Sequence, residues 1–248
     1  MSDENKEQDY DLNIEDVESC TFEVSYEPRK ILMIVTSVDR FDETHKTGLW
    51  FEEFAVPFNK FMDAGYIVTV ASPKGGAAPI DPSSENLIDD IKWQDAKKAL
   101  GDTVPLETVD YTLYDAVVLP GGHGPMFDLA KSELMGEIIG YFARHDKLIA
   151  AICHGPAGLL PAKQKDGLPF VNGRTLTCFT NDEEAWAKKN NLVPFFLEDA
   201  LKEAGAFFTA DKVGAINIVE DGNLITGQNF QSSAQFADAI INYLSKQA

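Results

Sequence analysis

The sequence predicts a single α/β domain built on a mostly parallel sheet, and three observations carry that expectation. Short, wholly apolar runs recur along the chain, stretches with apolar residues at helical spacing separate them, and one run leads directly into a cysteine on a small-residue turn. Apolar runs without alternation suit strands buried on both faces of a sheet. Strand, helix and strand in succession mark βαβ units.

Composition fits this reading and excludes others. The 248 residues are 44% hydrophobic, with 21 Lys+Arg against 40 Asp+Glu and a net charge of −19. Such a chain can bury a large core without a disulfide or metal staple. The acidic balance argues against nucleic acid and against an anionic membrane surface as partners, since both select basic patches. Cys20, Cys153 and Cys178 are widely spaced and form no CxxC pair, so neither a disulfide framework nor a zinc ribbon is expected. The N-terminus lacks the basic and apolar regions of a signal peptide, and no apolar run approaches a membrane span. The cytoplasm is therefore the expected compartment.

The elements follow in order. Residues 1–29 form an acidic arm, carrying Asp3, Glu4, Glu7, Asp9, Asp11, Glu15, Asp16 and Glu18 against Lys6, and residues 30–248 form the domain. The run at 31–37 is the first strand. Phe51, Phe54, Phe58, Phe61 and Met62 then recur at helical spacing and stop at Gly65, which suits a helix C-terminus. A strand over 67–71 leads to a loop at 73–84 rich in Gly, Pro and Ser, and a helix is expected over 86–100. Strands follow at Ala116–Leu119 and Leu148–Ile152, and a helix contains Trp186, with Asn181 or Asp182 as its N-cap. A hairpin turns at Asp221-Gly222, and an amphipathic helix over 232–244 closes the chain.

The segment Ile149-Ala-Ala-Ile-Cys-His-Gly-Pro156 concentrates the chemistry. A tight strand-to-helix turn presents one side chain above the sheet, at the strand ends where open α/β sheets bind ligands. Cys153 is the candidate nucleophile, and a helix N-terminus beside it is expected to depress its thiol pKa. His154 is a candidate general base whose backbone N–H can stabilise an oxyanion, or else a hydrogen-bonded turn residue. A second glycine-rich turn, Leu119-Pro-Gly-Gly-His-Gly124, follows another buried strand. It lacks the pattern of a P-loop or a dinucleotide fingerprint, and the N–H groups of Gly121 and Gly122 are candidates for an oxyanion hole.

With these motifs the chain resembles the ThiJ/PfpI superfamily, the class I glutamine amidotransferase-like proteins with a Cys-His elbow. Ala-Ile-Cys-His-Gly-Pro, Leu-Pro-Gly-Gly-His-Gly, the loop at 72–84 and Thr226-Gly-Gln-Asn229 together are similar to its branch of heat-shock chaperones that are also glutathione-independent glyoxalase III enzymes. The resemblance implies a flavodoxin-like three-layer sandwich with a nucleophile elbow, and commonly a homodimer. It also implies two carboxylates. Glu53, four residues before Pro57, matches a glutamate that points at the nucleophilic sulfur, and Glu184 matches the third triad member, with Glu183 a competitor one residue away.

The resemblance implies a glyoxalase III-like lyase, of the D-lactate dehydratase type, acting on a small dicarbonyl such as methylglyoxal. No metal, nucleotide or glutathione cofactor is implied, and His45, His123, His145 and His154 show no metal-ligand spacing. A protein deglycase or a cysteine amidase or peptidase would use the same nucleophile. A holdase chaperone or oxidative-stress sensor, with little turnover, is the reading from a different class. Cys178 is either a small core residue or a second oxidisable thiol.

Overall fold

A computed structural model describes residues 27–87 and 90–247, so Cys20 and the arm up to residue 26 lie outside the described residues. The strands are β1 (Lys30–Ile34), β2 (Ile67–Ser72), β3 (Val104–Pro105), β4 (Ala116–Leu119), β5 (Leu148–Ile152), β6 (Thr175–Leu176), β7 (Phe207–Phe208), β8 (Ile218–Asp221) and β9 (Leu224–Gly227). Seven form one sheet in the order β3-β2-β1-β4-β5-β9-β8, and β6 and β7 pair separately. All pairs in the large sheet are parallel except the β8–β9 hairpin. The helices are α1 (Phe51–Asp63), α2 (Gln94–Gly101), α3 (Glu133–Arg144), α4 (Asn181–Ala187), α5 (Leu197–Glu203) and α6 (Ser233–Ser245).

Strand alternation builds two cores, one on each face of the sheet. Ile31, Met33, Val118, Ala150 and Ile152 pack with Phe54, Phe58 and Phe61 of α1 and with Phe236 and Ile240 of α6. Leu32, Ile34, Val117, Ile149 and Ala151 pack with Met135, Ile138, Ile139 and Phe142 of α3. Each large side chain taken out of water contributes about 1.5–3 kcal/mol. The result is the three-layer sandwich with a mostly parallel sheet. No helix among the described residues is long and apolar enough to cross a membrane.

Successive strands run outward from β1 through β2 to β3, and the chain then returns to β4 on the other side of β1. Ligand crevices in open α/β sheets form outside the carboxyl ends of strands at such a reversal. The ends of β4 and β5 lie there side by side, with Leu119 in register with Ala151.

Three local expectations are corrected. The predicted helix over 86–100 is two short 3-10 turns, Pro82–Leu87 and Ile91–Trp93, followed by the eight-residue α2. Asp90 accepts a hydrogen bond from the Lys92 N–H, so the backbone restarts there rather than continuing. The segment after Cys153 is a five-residue 3-10 helix, Gly155–Leu159, not an α-helix. The N-cap of α4 is Thr180, which forms a capping box with Glu183, rather than Asn181 or Asp182.

Two glycines differ in what they allow. Gly65, just past the end of α1, has φ +76° and open space around its missing Cβ. Gly155 passes so close to β4 that an added Cβ would lie 2.0 Å from the Leu119 carbonyl oxygen. Gly155→Ala is expected to cost about 3 kcal/mol, the upper end for overpacking a close-packed interior. Gly65→Ala is expected to cost about 1 kcal/mol, the left-handed backbone penalty alone. Urea unfolding midpoints of the two variants check the difference.

Candidate active site at Cys153

Cys153 follows β5 with φ +58°, a left-handed conformation that is costly for a residue with a Cβ. Its backbone is held on both sides. Its N–H donates to the Gly227 carbonyl at 2.9 Å, and its own carbonyl accepts from the Phe179 N–H at 2.9 Å. Small residues make this geometry possible, because Gly155 lies against β4 and Gly121 abuts the turn itself. A Cβ on Gly121 would meet the His154 nitrogen at 2.7 Å.

The side chains of Cys153 and His154 face each other, with Sγ 3.3 Å from Nδ1. His154 Nε2 lies 2.5 Å from Glu184 Oε1. A carboxylate accepts only, so this contact assigns the proton to Nε2 and leaves the Nδ1 lone pair toward sulfur. Burial raises the affinity of Glu184 for a proton. The attraction of His154 and hydrogen bonds from His123 and His154 outweigh it and hold the carboxyl well below the usual range.

Glu183 does something else. Its Oε2 accepts from the Thr180 N–H and hydroxyl, and its Oε1 accepts from the Gly214 N–H and the side-chain amides of Gln228 and Asn229. Successive helical residues point about 100° apart. One glutamate therefore fastens the frame while the next meets the imidazoles.

Glu53 is fully buried in the first turn of α1. Its Oε2 accepts the Gly121 N–H at 3.0 Å, and its Oε1 has no partner of ordinary hydrogen-bond geometry. Burial pushes its pKa up to about 8, against the lowering effect of the Cys153 thiol and the Gly121 N–H. Glu52, one position earlier, is only half-buried.

Two sequence expectations change here. The Gly121 N–H is committed to Glu53, so Gly121 drops out of the candidate oxyanion hole, leaving Gly122 and His154. Gly122, with φ +82°, bears on the sulfur as a backbone donor. The Cys153 thiol pKa is raised, not depressed, first by burial and then by the charge of Glu53. A short 3-10 turn offers sulfur a far weaker dipole than a full α-helix. Cys178 also has its pKa raised, chiefly by burial, and packs in the core on the opposite face.

Sequence reasoning missed His123 as a member of this group. Its Nε2 lies 3.1 Å from Glu184 Oε2, and its ring centroid is 4.0 Å from that of His154. Burial, followed by repulsion from His154, lowers its pKa to about 4, so it is neutral. The signal was the histidine in the Gly-Gly-His-Gly turn, but only the pairing of β4 with β5 joins it to His154. Potential ligand atoms of His123, His154 and Glu184 lie within 4.8 Å of one another, so among the described residues these could hold a metal ion. In the structure both imidazoles hydrogen-bond to Glu184 through these atoms.

A cavity of about 310 Å³ opens above the sulfur. Gly122, Cys153 and His154 line it together with Trp50, Phe179 and Phe230, while Asp81 and Ser83 reach it from the loop at 72–84. A buried thiol and an imidazole aligned by a carboxylate line it, and the carboxyl of Glu53, with its pKa raised to about 8, acts on that thiol from within the protein. That set can attack an electrophilic carbon and move protons to and from the adduct.

Known proteins share this arrangement of the chain. A crystal structure whose name states no activity superposes with a TM-score of 0.86 at 44% identity, covering 90% of this chain and all of its own. The glutathione-independent glyoxalase HSP31 of Saccharomyces cerevisiae is 29% identical over 238 residues, 88% of this chain and 98% of the relative. The glutamine amidotransferase-like class 1 domain-containing protein 1 of Bos taurus is 32% identical over 173 residues, 68% of this chain and 77% of the relative. The DJ-1/PfpI family model matches residues 44–243, which span α1 to α6 and every residue of the site, and the chain belongs to the DJ-1/PfpI family.

Proposed function

We propose that this protein is a glutathione-independent glyoxalase that converts 2-oxoaldehydes of the methylglyoxal type into 2-hydroxy acids such as lactate. The observation that carries the reading is the pairing of Cys153 with two different acids. One carboxyl is kept protonated near neutral pH, and the other is kept ionised behind His154. Similarity to HSP31 of Saccharomyces cerevisiae, named as a glutathione-independent glyoxalase, supports it at the level of the family.

The chemistry needs one dicarbonyl and one water. The Cys153 thiol gives its proton to His154 Nδ1, and sulfur adds to the aldehyde carbon, forming a C–S bond and turning the carbonyl into a hemithioacetal. Gly122 and His154 N–H groups carry the developing oxyanion. Removal of the C1 proton and protonation of the C2 oxygen give an enediol. Protonation at C2 then yields a thioester, and water cleaves the C–S bond to release the acid and the thiol. Glu53, whose carboxyl acts on the Cys153 thiol and whose Oε1 has no partner of ordinary hydrogen-bond geometry, is the shuttle for the C1 proton. Ionised Glu184 stabilises the imidazolium that appears on His154.

Purified protein mixed with methylglyoxal in the absence of glutathione is expected to yield lactate, and Cys153→Ala to abolish it. Suppression of client aggregation that survives in both proteins while neither makes lactate would transfer the function to a holdase. Lactate assays on Glu184→Gln are expected to give a fall in kcat of about 100-fold, the low end for general acid–base groups. Urea unfolding of Glu183→Ala is expected to lose about 3 kcal/mol or more, because it strands several buried donors.

Glu53 also sets a pH dependence. Its folded pKa of about 8 lies above the ordinary 4.5, so the unfolded chain releases this proton first as pH rises. Its contribution to stability therefore declines by about 1.4 kcal/mol per pH unit through that window. Glu53→Gln is expected to flatten that slope in denaturant titrations between these pH values and to stabilise the fold at pH 8. The same variant is expected to lose lactate formation, and wild-type activity to decline as pH passes through about 8.

A further inference from the structure

The cavity over Cys153 is larger and more aromatic than a three-carbon substrate requires. Its volume of about 310 Å³ holds roughly ten water-sized groups at ~30 Å³ each. The reacting carbonyls need only the base, where Cys153, Gly122 and His154 lie. Above them Trp50 and Phe230 stack with centroids 5.0 Å apart and planes 25° apart. Phe179 packs on the His154 ring at 4.7 Å and continues the wall. Trp186 also lines the cavity yet is 63% exposed, a large apolar ring left facing solvent.

The carboxylate along this wall is already engaged, and the lysine lies over an aromatic ring. Asp81 accepts from the Thr47 hydroxyl at 3.0 Å and from the Ser83 N–H at 2.8 Å. The Lys189 ammonium sits 5.3 Å from the centre of the Phe41 ring. Beside Ser83 and Lys189, what the upper cavity offers a ligand is chiefly the flat apolar surface of Trp50, Phe179, Trp186 and Phe230, which prefers another flat apolar group at stacking distance.

We infer that the preferred substrates are 2-oxoaldehydes bearing a planar apolar substituent, an aryl group above all, whose ring lies among Trp50, Phe230 and Trp186 while its aldehyde carbon reaches Cys153. The inference rests on the glyoxalase reading and narrows it. The chemistry balances as before: phenylglyoxal and water give mandelate, as methylglyoxal and water give lactate.

The test compares kcat/KM for phenylglyoxal and methylglyoxal without glutathione, measuring mandelate and lactate, in wild type, Trp186→Ala and Phe230→Ala. Wild type is expected to favour phenylglyoxal by tenfold or more, and each variant to reduce that ratio about tenfold, chiefly through KM for phenylglyoxal. Circular dichroism checks that the variants fold, and exposed Trp186 is the safer of the two sites. A wild-type ratio at or below one overturns the inference and leaves the glyoxalase reading intact. A high ratio unchanged in both variants also overturns it, since the preference then lies in the aldehyde rather than the wall. A wild type inert toward both substrates fails the glyoxalase reading itself.

Discussion

The pocket around Cys153 has room for little negative charge, and the behaviour of its acids follows from that constraint. Glu53 and the thiol are both buried, both are pushed toward their protonated forms, and the charge of Glu53 further penalises ionisation of the thiol. Glu184 is buried as well, yet it stays ionised because two imidazoles face its two oxygens. Environment, not residue type, makes one glutamate a proton donor and the other a fixed anion. A sulfur beside a protonated carboxyl can ionise without doubling the local charge, which reconciles a raised thiol pKa with the nucleophilic role proposed for Cys153.

Holding those groups in reach requires unfavourable local structure. Cys153 takes a left-handed backbone, and a carboxyl on α1 is driven into a protein interior. Neither arrangement stabilises the fold, and both are imposed by what surrounds them: a hydrogen bond to the Gly227 carbonyl and one from the Phe179 N–H on one side, and the Phe-rich face of α1 packed on the sheet on the other. Local strain persists where a packed scaffold overdetermines it, and such positions gather at functional sites. Here the scaffold is the parallel sheet, whose strand ends converge where the chain reverses its direction of travel.

Adjacent residues with opposite duties recur around the site. Glu52 is partly solvated and Glu53 is sealed in, while Glu183 ties the α4 cap to Gly214, Gln228 and Asn229 and Glu184 joins His123 to His154. In each pair the helical turn of about 100° per residue separates the duties. The two glycines after β4 divide in the same way, Gly121 donating to Glu53 and Gly122 bearing on the sulfur.

Local pattern in the sequence was enough for β1, β2, β4, β5, the hairpin, α1, α6 and the elbow, because burial on both faces and steric demands at a tight turn leave their mark on neighbouring residues. The same pattern misjudged the segment over 86–100, where a single Asp90 side chain diverts the backbone, left α3 unnamed, and missed the short α5, β3, β6 and β7. Whether Glu183 or Glu184 meets the imidazole, that Gly121 is already bound, and that His123 belongs to the network were decided by the tertiary structure. So was the raised pKa of the Cys153 thiol. These features depend on groups 30 to 100 residues apart in the chain, among them His154 with Glu184 and Glu53 with Cys153. Burial and charge at a point in space belong to no local stretch of sequence, and only the packed fold fixes them.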